Sequence, residues 1–355
     1  MPHAIFACGV FCVWGCGAES ASRLRMFGKT KFMSSAANLK RRDFLRQASA
    51  AAAVVGGVSG GAAVPVKTSE SLVGQLHGSL SEGQRAQLCR KFDDPLRLKV
   101  DNNWMINKPL KEVLDRNQVD LVRQIFLGLH SPEYAERVMG QVVHDSEGEG
   151  FDGGTSITLF GEPGSGRFEF VLTGRHCTRR CDGDSVEGMA FGGPIFYGHA
   201  AQGSKESAKH PGNVYWYQAV RANEVFAMLD GRQRQMALVE RLREENSTAT
   251  VALSGRKGSR VGVPMGELTG DQRAQVRKVM AAVLAPFRKV DADESMRFID
   301  SQFDSLQMAF SRANDIGNDG VWDIWQIEGP SMVWLFRGAP HVHVWVHVKD
   351  PAMGA

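Results

Sequence analysis

Met332-Val-Trp-Leu-Phe-Arg337-Gly-Ala-Pro340-His341-Val-His343-Val-Trp345-Val-His347-Val348 decides the fold of this chain. Apolar runs on either side of Gly338-Ala339-Pro340 read as two strands joined by a tight connection, which implies antiparallel pairing. In the second run the side chains alternate faces. Four valines share one face, the core face. His341, His343, Trp345 and His347 share the other.

Working outward, Val321 to Ile327 joins the same strand block. A second block lies far upstream, at Ser156 to Phe160 and Arg167 to Leu172, with Arg175 to Arg180 continuing it. Between and around the blocks, apolar residues recur with helical spacing from Ser81 to Phe92, Asn117 to Leu129 and Pro132 to His144. The spacing returns from Tyr215 to Leu229, Arg232 to Arg243, Thr269 to Phe287 and Glu294 to Asn314. Helices and strands are segregated, so the expected class is α+β, with the two separated strand blocks forming one antiparallel sheet packed with several helices. Leu80-Ser-Glu-Gly-Gln-Arg85, Leu229-Asp-Gly-Arg-Gln-Arg234 and Leu268-Thr-Gly-Asp-Gln-Arg273 each place a capping residue three positions before a glutamine. That spacing predicts capping boxes. Nothing beyond the caps matches, so they read as three independent helix starts, not an internal repeat. Residues 200 to 212 and 245 to 266 read as polar loops.

The N-terminal 63 residues read as a leader. Arg41-Arg42-Asp43-Phe44-Leu45-Arg46, followed by a weakly apolar, Ala-rich run to Val58, resembles a twin-arginine export signal. The apolar run is about 11 residues, short of the roughly 20 that cross a bilayer. Met33 is the expected start, and residues 1–32 a mis-assigned extension. Residues 64–79 are expected as a short linker, and 80–355 as a single α+β domain. Export through the twin-arginine translocase, to the periplasm or beyond, follows from this reading. Removing the leader's 8 basic and 2 acidic residues from totals of 42 and 39 leaves 34 against 37. A mature chain of net charge −3 has no electrostatic case for nucleic acid. Of the 6 cysteines, Cys8, Cys12 and Cys16 lie in the leader. Cys177 and Cys181 are read either as one bridge or as two free thiols.

His341 and His343, two apart on a strand, have the spacing of ligands to one metal ion, and His176 or His199 is expected to supply a third. His347 lies too far along the strand to join. The alternative is a solvent-facing histidine strand that binds nothing. Gly174-Arg-His-Cys-Thr-Arg-Arg-Cys-Asp-Gly-Asp184 gathers arginines fit to grip an anion and carboxylates fit to act as base. Its alternative is a polar sheet edge. The chain has no Walker A sequence, no G-x-S-x-G and no H-E-x-x-H.

Taken in order, several of these blocks resemble a bacterial family known as domain of unknown function 3500. They are Leu80 to Gln87, Leu172 to Thr178, Pro194 to Gly198, Leu229-Asp230 with Gln233-Arg234, Leu268 to Arg273, Ile327 to Pro330 and His341 to His343, ending in Asp350-Pro351. The resemblance implies an exported, single-domain protein and lends no activity. The family pattern has two adjacent histidines after the glycine. Here Arg175 holds the first place; if both family histidines are ligands, this chain has lost one or replaced it with Cys177.

The resulting expectation is a metal-assisted hydrolase of a small anionic substrate. His176, His341 and His343 would hold zinc or another transition metal. Arg179, Asp182 and Glu187 would serve catalysis, and Arg175, Arg180 and Trp345 would meet the substrate. The alternatives are a non-catalytic ligand-binding or envelope interaction protein, and a metal-dependent oxidoreductase.

Overall fold

A computed structural model describes residues 68–200, 207, 210, 212–313 and 321–354. The expected leader, with its Arg41-Arg42 stretch, lies outside the described residues. The described chain is α+β and runs twice through a similar course: two helices, a two-residue strand, further helices and a four-stranded meander. The first pass is α1 (Ser69–Ser79), α2 (Glu82–Leu88), β1 (Cys89–Arg90), α3 (Leu110–Val113), α4 (Arg116–Gly128), α5 (Ala135–Asp145) and α6 (Gly150–Gly154). It ends in the meander β2 (Thr155–Gly161), β3 (Phe168–Gly174), β4 (Cys177–Cys181) and β5 (Ile195–His199). The second is α7 (Tyr217–Met228), α8 (Gly231–Ala237), β6 (Leu238–Val239), β7 (Val263–Pro264), α9 (Gly270–Leu284) and α10 (Lys289–Ser301). It ends in β8 (Gln307–Ser311), β9 (Ile324–Gly329), β10 (Met332–Arg337) and β11 (Val342–Val348).

All these strands form one sheet in the order β1-β2-β3-β4-β5-β11-β10-β9-β8-β6, with β7 on β8. The order is a palindrome about the antiparallel β5–β11 pair, in which His199 lies opposite Val342 and Gly198 opposite His343. At each outer end a two-residue strand runs parallel to its neighbour, β1 to β2 and β6 to β8. The β3–β4 and β9–β10 hairpins share a two-residue connection, Gly174 facing Cys177 and Gly329 facing Met332. Helix α1 packs on α4 as α7 packs on α9.

The duplication extends to hydrogen bonds. Ser81 and Asp115 cap α2 and α4, and the glutamine three residues past each cap, Gln84 and Gln118, exchanges side-chain amide bonds with the other at 2.8 and 3.1 Å. Asp230 and Thr269 cap α8 and α9, and Gln233 and Gln272 exchange theirs at 3.0 and 2.8 Å. Each amide also donates to a carbonyl that ends a neighbouring segment, Val113 and Ser79 in one half, Glu267 and Met228 in the other. The three capping boxes therefore belong to a repeat, together with a fourth at Asp115. Packing geometry and caps are repeated while the core side chains are not, which is why the pattern stopped at the caps.

The helices cover one face of the sheet. Val342, Val344, Val346 and Val348 point into that core, with Ile157, Leu172, Tyr197, Phe310 and Trp334. The opposite face is closed by the segments after β1 and β6. Val100 and Val251 pack there on Phe196, Val333, Leu335 and Trp345. The histidine face of β11 is thus buried too, and the expectation of a solvent-facing strand is overturned.

Several boundaries move. Residues 69–79, expected as linker, form a helix that buries Leu72, Val73 and Leu76. Helices expected to reach Phe92 and Arg243 stop at Leu88 and Ala237 and become β1 and β6. The helix expected from Glu294 to Asn314 ends at Ser301 and is followed by β8. Ile299, Phe303, Leu306 and Phe310 keep helical spacing through that break, but each buries itself in a different element. Cys177 and Cys181 form no disulfide and are buried thiols on the helix face of one strand.

Candidate metal centre

His176 occupies the β3–β4 turn with φ 53, a left-handed conformation that costs a non-glycine residue of order 1 kcal/mol. Its backbone N–H donates to the Asn102 carbonyl at 2.8 Å. The turn carries the ring over the end of β5 toward β11. There, the ring centroids of His176, His341 and His343 lie 5.0, 5.0 and 4.6 Å from one another. One ligand nitrogen from each falls within 4.8 Å of the others, so the three are able to hold an ion. The Nε2 atoms of His341 and His343 are 2.9 Å apart. For two nitrogens at about 2.0–2.1 Å from a shared ion, that separation subtends roughly 90°. Gly198 makes room opposite His343: a Cβ there would meet the Val342 carbonyl oxygen at 2.2 Å.

Two of the rings are braced from behind. Asp145, the last residue of α5, meets His176 Nδ1 at 2.7 Å, and Gln141 Nε2 donates to the same carboxylate oxygen at 2.9 Å. Glu245, from the loop after β6, accepts from His343 Nδ1 at 3.1 Å and from Trp345 Nε1 at 2.8 Å. Arg337 pairs with Glu245 at 3.0 Å and also reaches His343 Nδ1. A carboxylate on Nδ1 favours the tautomer that leaves Nε2 with its lone pair, the arrangement that metal-bound histidines use; at His176 the carboxylate acts alone, while at His343 Glu245 shares Nδ1 with the Arg337 donor. Burial alone would raise the Glu245 carboxyl. The hydrogen bond from His343, then the Arg337 charge and the Trp345 N–H, hold it down to about 2. Asp145 is likewise held below the carboxylate range by His176 and His199, against the effect of burial. Burial outweighs Glu245 at His343 and lowers it to about 3, so this imidazole is neutral at physiological pH.

The structure thus brings His176, His341 and His343 together and leaves His347 apart, its Nδ1 on the Val251 carbonyl. The other expected residues separate. Arg175 stands beside His176, partly exposed, and pairs with the exposed Glu147. Arg179 faces the helices, donating to His130 Nε2 at 3.0 Å and the Phe196 carbonyl at 2.7 Å, on the opposite side of the sheet. Arg180 is buried against Glu169 at 2.6 Å and donates to the Arg97, Lys99 and Pro194 carbonyls, so it is a structural ion pair, unavailable to a substrate. Asp182 follows the far end of β4, about 20 Å from His176 at roughly 3.3 Å per strand residue, and Glu187 lies beyond the turn that Asp182 opens. Asp182 organises its own turn by accepting from the Val186 N–H at 3.0 Å. Trp345 is 1% exposed and holds Glu245, with no surface to offer a substrate. Cys177 points into the helix-side core, where burial pushes its thiol up, so it replaces no ligand.

Sequence reasoning missed Asp145 and Glu245. Asp145 carried a signal: an acid in the last turn of a helix opposes the helix dipole and needs another reason to be there. Glu245 carried none, since a loop has no period.

Fold and centre together define an α+β protein of duplicated topology with one buried three-histidine cluster at the junction of its halves. The chain belongs to the family described as protein of unknown function (DUF3500), whose model matches residues 62–349. No curated protein and no solved structure matches it.

Proposed function

We propose that the three histidines form a mononuclear metal centre and that the chain is a metal-assisted hydrolase of a small anionic substrate. The observation that carries the proposal is the pair of carboxylates, Asp145 and Glu245, set on the far nitrogens of two converging imidazoles. Any buried imidazole needs a partner, but His347 and His130 find theirs in backbone carbonyls, of Val251 and Phe126, whereas each of these two converging rings has a carboxylate. Bound there, an ion of the zinc class would acidify water or polarise a carbonyl or phosphoryl oxygen. The chain's own residues supply the rest. His341 is the least buried of the three ligands, so the open positions lie on its side. Arg175 lies next to His176 in the turn, and its tie to an exposed glutamate is weak enough to exchange for a substrate anion. Asp145 and Glu245 keep the rings oriented while charge changes at the ion. We propose further that the protein is exported by the twin-arginine translocase. That route carries folded proteins, so an ion buried in the fold would travel with it.

The test is hydrolysis of p-nitrophenyl phosphate and p-nitrophenyl acetate by chelated protein, before and after reloading with Zn²⁺. Metal-dependent turnover that vanishes in His343→Ala is expected. Equal rates with and without metal, or tight metal binding without turnover of either ester, would overturn the hydrolase reading. Imidazole ligands also suit iron and copper. Oxygen consumption by the iron- or copper-loaded protein would instead place it among oxidoreductases.

A further inference from the structure

Asp145 has a second oxygen, and it leads to a different place. His199 Nδ1 approaches that oxygen, Oδ1, to 3.3 Å, outside hydrogen-bond geometry, and has no hydrogen-bond partner although His199 is 3% exposed. Gln141, 2% exposed, spends its Nε2 on Asp145 and leaves its Oε1 without a partner. Both residues line one cleft of about 350 Å³, on the helix side of the sheet, with Arg137, His144 and His210. This volume is at the lower end of the range for small-molecule sites. No acidic side chain lines it among the described residues; the Asp145 carboxylate lies behind His199. Arg137 lies over the Tyr134 ring at 5.0 Å and has no carboxylate partner among the described residues.

An uncompensated guanidinium and several imidazoles suit an anion. A buried carbonyl oxygen with no donor is costly unless something fills it. We infer that this cleft binds a small oxyanion that also carries an O–H, the chemistry shared by hydrogen phosphate and hydroxycarboxylates. The anionic oxygens accept from Arg137 and the histidines, and the hydroxyl donates to Gln141 Oε1. The cleft is separate from the histidine centre: Asp145 reaches His176 with one oxygen and His199 with the other, and does not itself line the cleft. The inference therefore stands whether or not the centre holds a metal.

The test is calorimetric titration of the full chain with inorganic phosphate, glycolate and acetate, in the unaltered protein, in Arg137→Gln and in His341→Ala/His343→Ala. Circular dichroism confirms that each variant folds. Arg137 is exposed, so its replacement should leave the fold intact. Saturable binding of phosphate or glycolate is expected, weakened at least tenfold by Arg137→Gln and unchanged in the double histidine variant. Phosphate alone binding assigns a phosphate site; glycolate binding well above acetate assigns a hydroxycarboxylate site. Absence of binding by both at millimolar concentrations, or binding lost in the double variant and kept in Arg137→Gln, would overturn the inference.

Discussion

Glu245 and His343, 98 residues apart in the chain, meet at 3.1 Å, and Trp345 donates to the same carboxylate at 2.8 Å. The histidine strand is therefore held by a loop from its own half of the fold, while Asp145 braces His176 from the other half. One half gives the turn histidine and the other gives the strand pair. The β9–β10 turn, counterpart of the His176 turn, carries Pro330 and Ser331, so among the described residues the histidine cluster is not repeated in the other half.

Glu245→Gln should keep the shape of the brace and lose its charge. Metal affinity is expected to fall by about 10–100-fold, the usual cost of removing a partner behind a ligand. Competition with a fluorescent chelator measures it. An unchanged affinity would show that Glu245 only fills space.

At position 176, alanine and glycine both remove the ligand, but only glycine relieves the positive φ. His176→Gly should be more stable than His176→Ala by about 1 kcal/mol, while both lose metal equally. Urea unfolding with parallel metal analysis separates the two effects. Metal retained in either variant would remove His176 from the ligand set.

Acid should destabilise the apoprotein early. Burial lowers His130 to about 3, with Arg179 adding to the effect, and lowers His347 to about 4. His343 sits at about 3. Each folded value lies below the unfolded value of about 6.5, so the unfolded chain takes up protons that the folded chain refuses. Stability is full above pH 6.5 and falls as pH drops toward the folded values, by up to about 1.4 kcal/mol per pH unit for each histidine. Glu245, held at about 2, adds a loss beginning near its unfolded value, about 4.3. The thermal midpoint should be level from pH 8 to 7 and decline steadily from 6.5 to 5. A level profile down to pH 5 would contradict these burials.

Gln272→Ala should cost about 1–3 kcal/mol, because it strands the Gln233 amide in a buried pair. Gln118→Ala should cost a similar amount in the other half. Chemical denaturation checks both, and a cost in one half alone would show that the clasps are not equivalent.

Much of this was legible in the residues. Alternation along Val342–Val348 gave the strand, its core face and the paired histidines, and tight connections gave antiparallel pairing. The capping boxes were visible one by one. Their kinship was not, because β5 reads Ile-Phe-Tyr-Gly-His where β11 reads Val-His-Val-Trp-Val-His-Val, and a repeated backbone needs no repeated side chains. Arg179, Arg180 and Asp182 were grouped with His176 by nearness in sequence. A strand undoes that nearness: it sends Arg179 and Arg180 to opposite faces and carries Asp182 to the far end. Glu245 needed the fold, since only closure of the loop over the sheet makes it a neighbour of His343.

The most direct measurement is the metal content of the protein purified from its native compartment, set beside that of the His341→Ala/His343→Ala variant purified in the same way. About one equivalent of a transition metal per chain, falling to background in the variant, is the predicted result. Equal content in the two proteins, or none in the unaltered one, would contradict the metal centre.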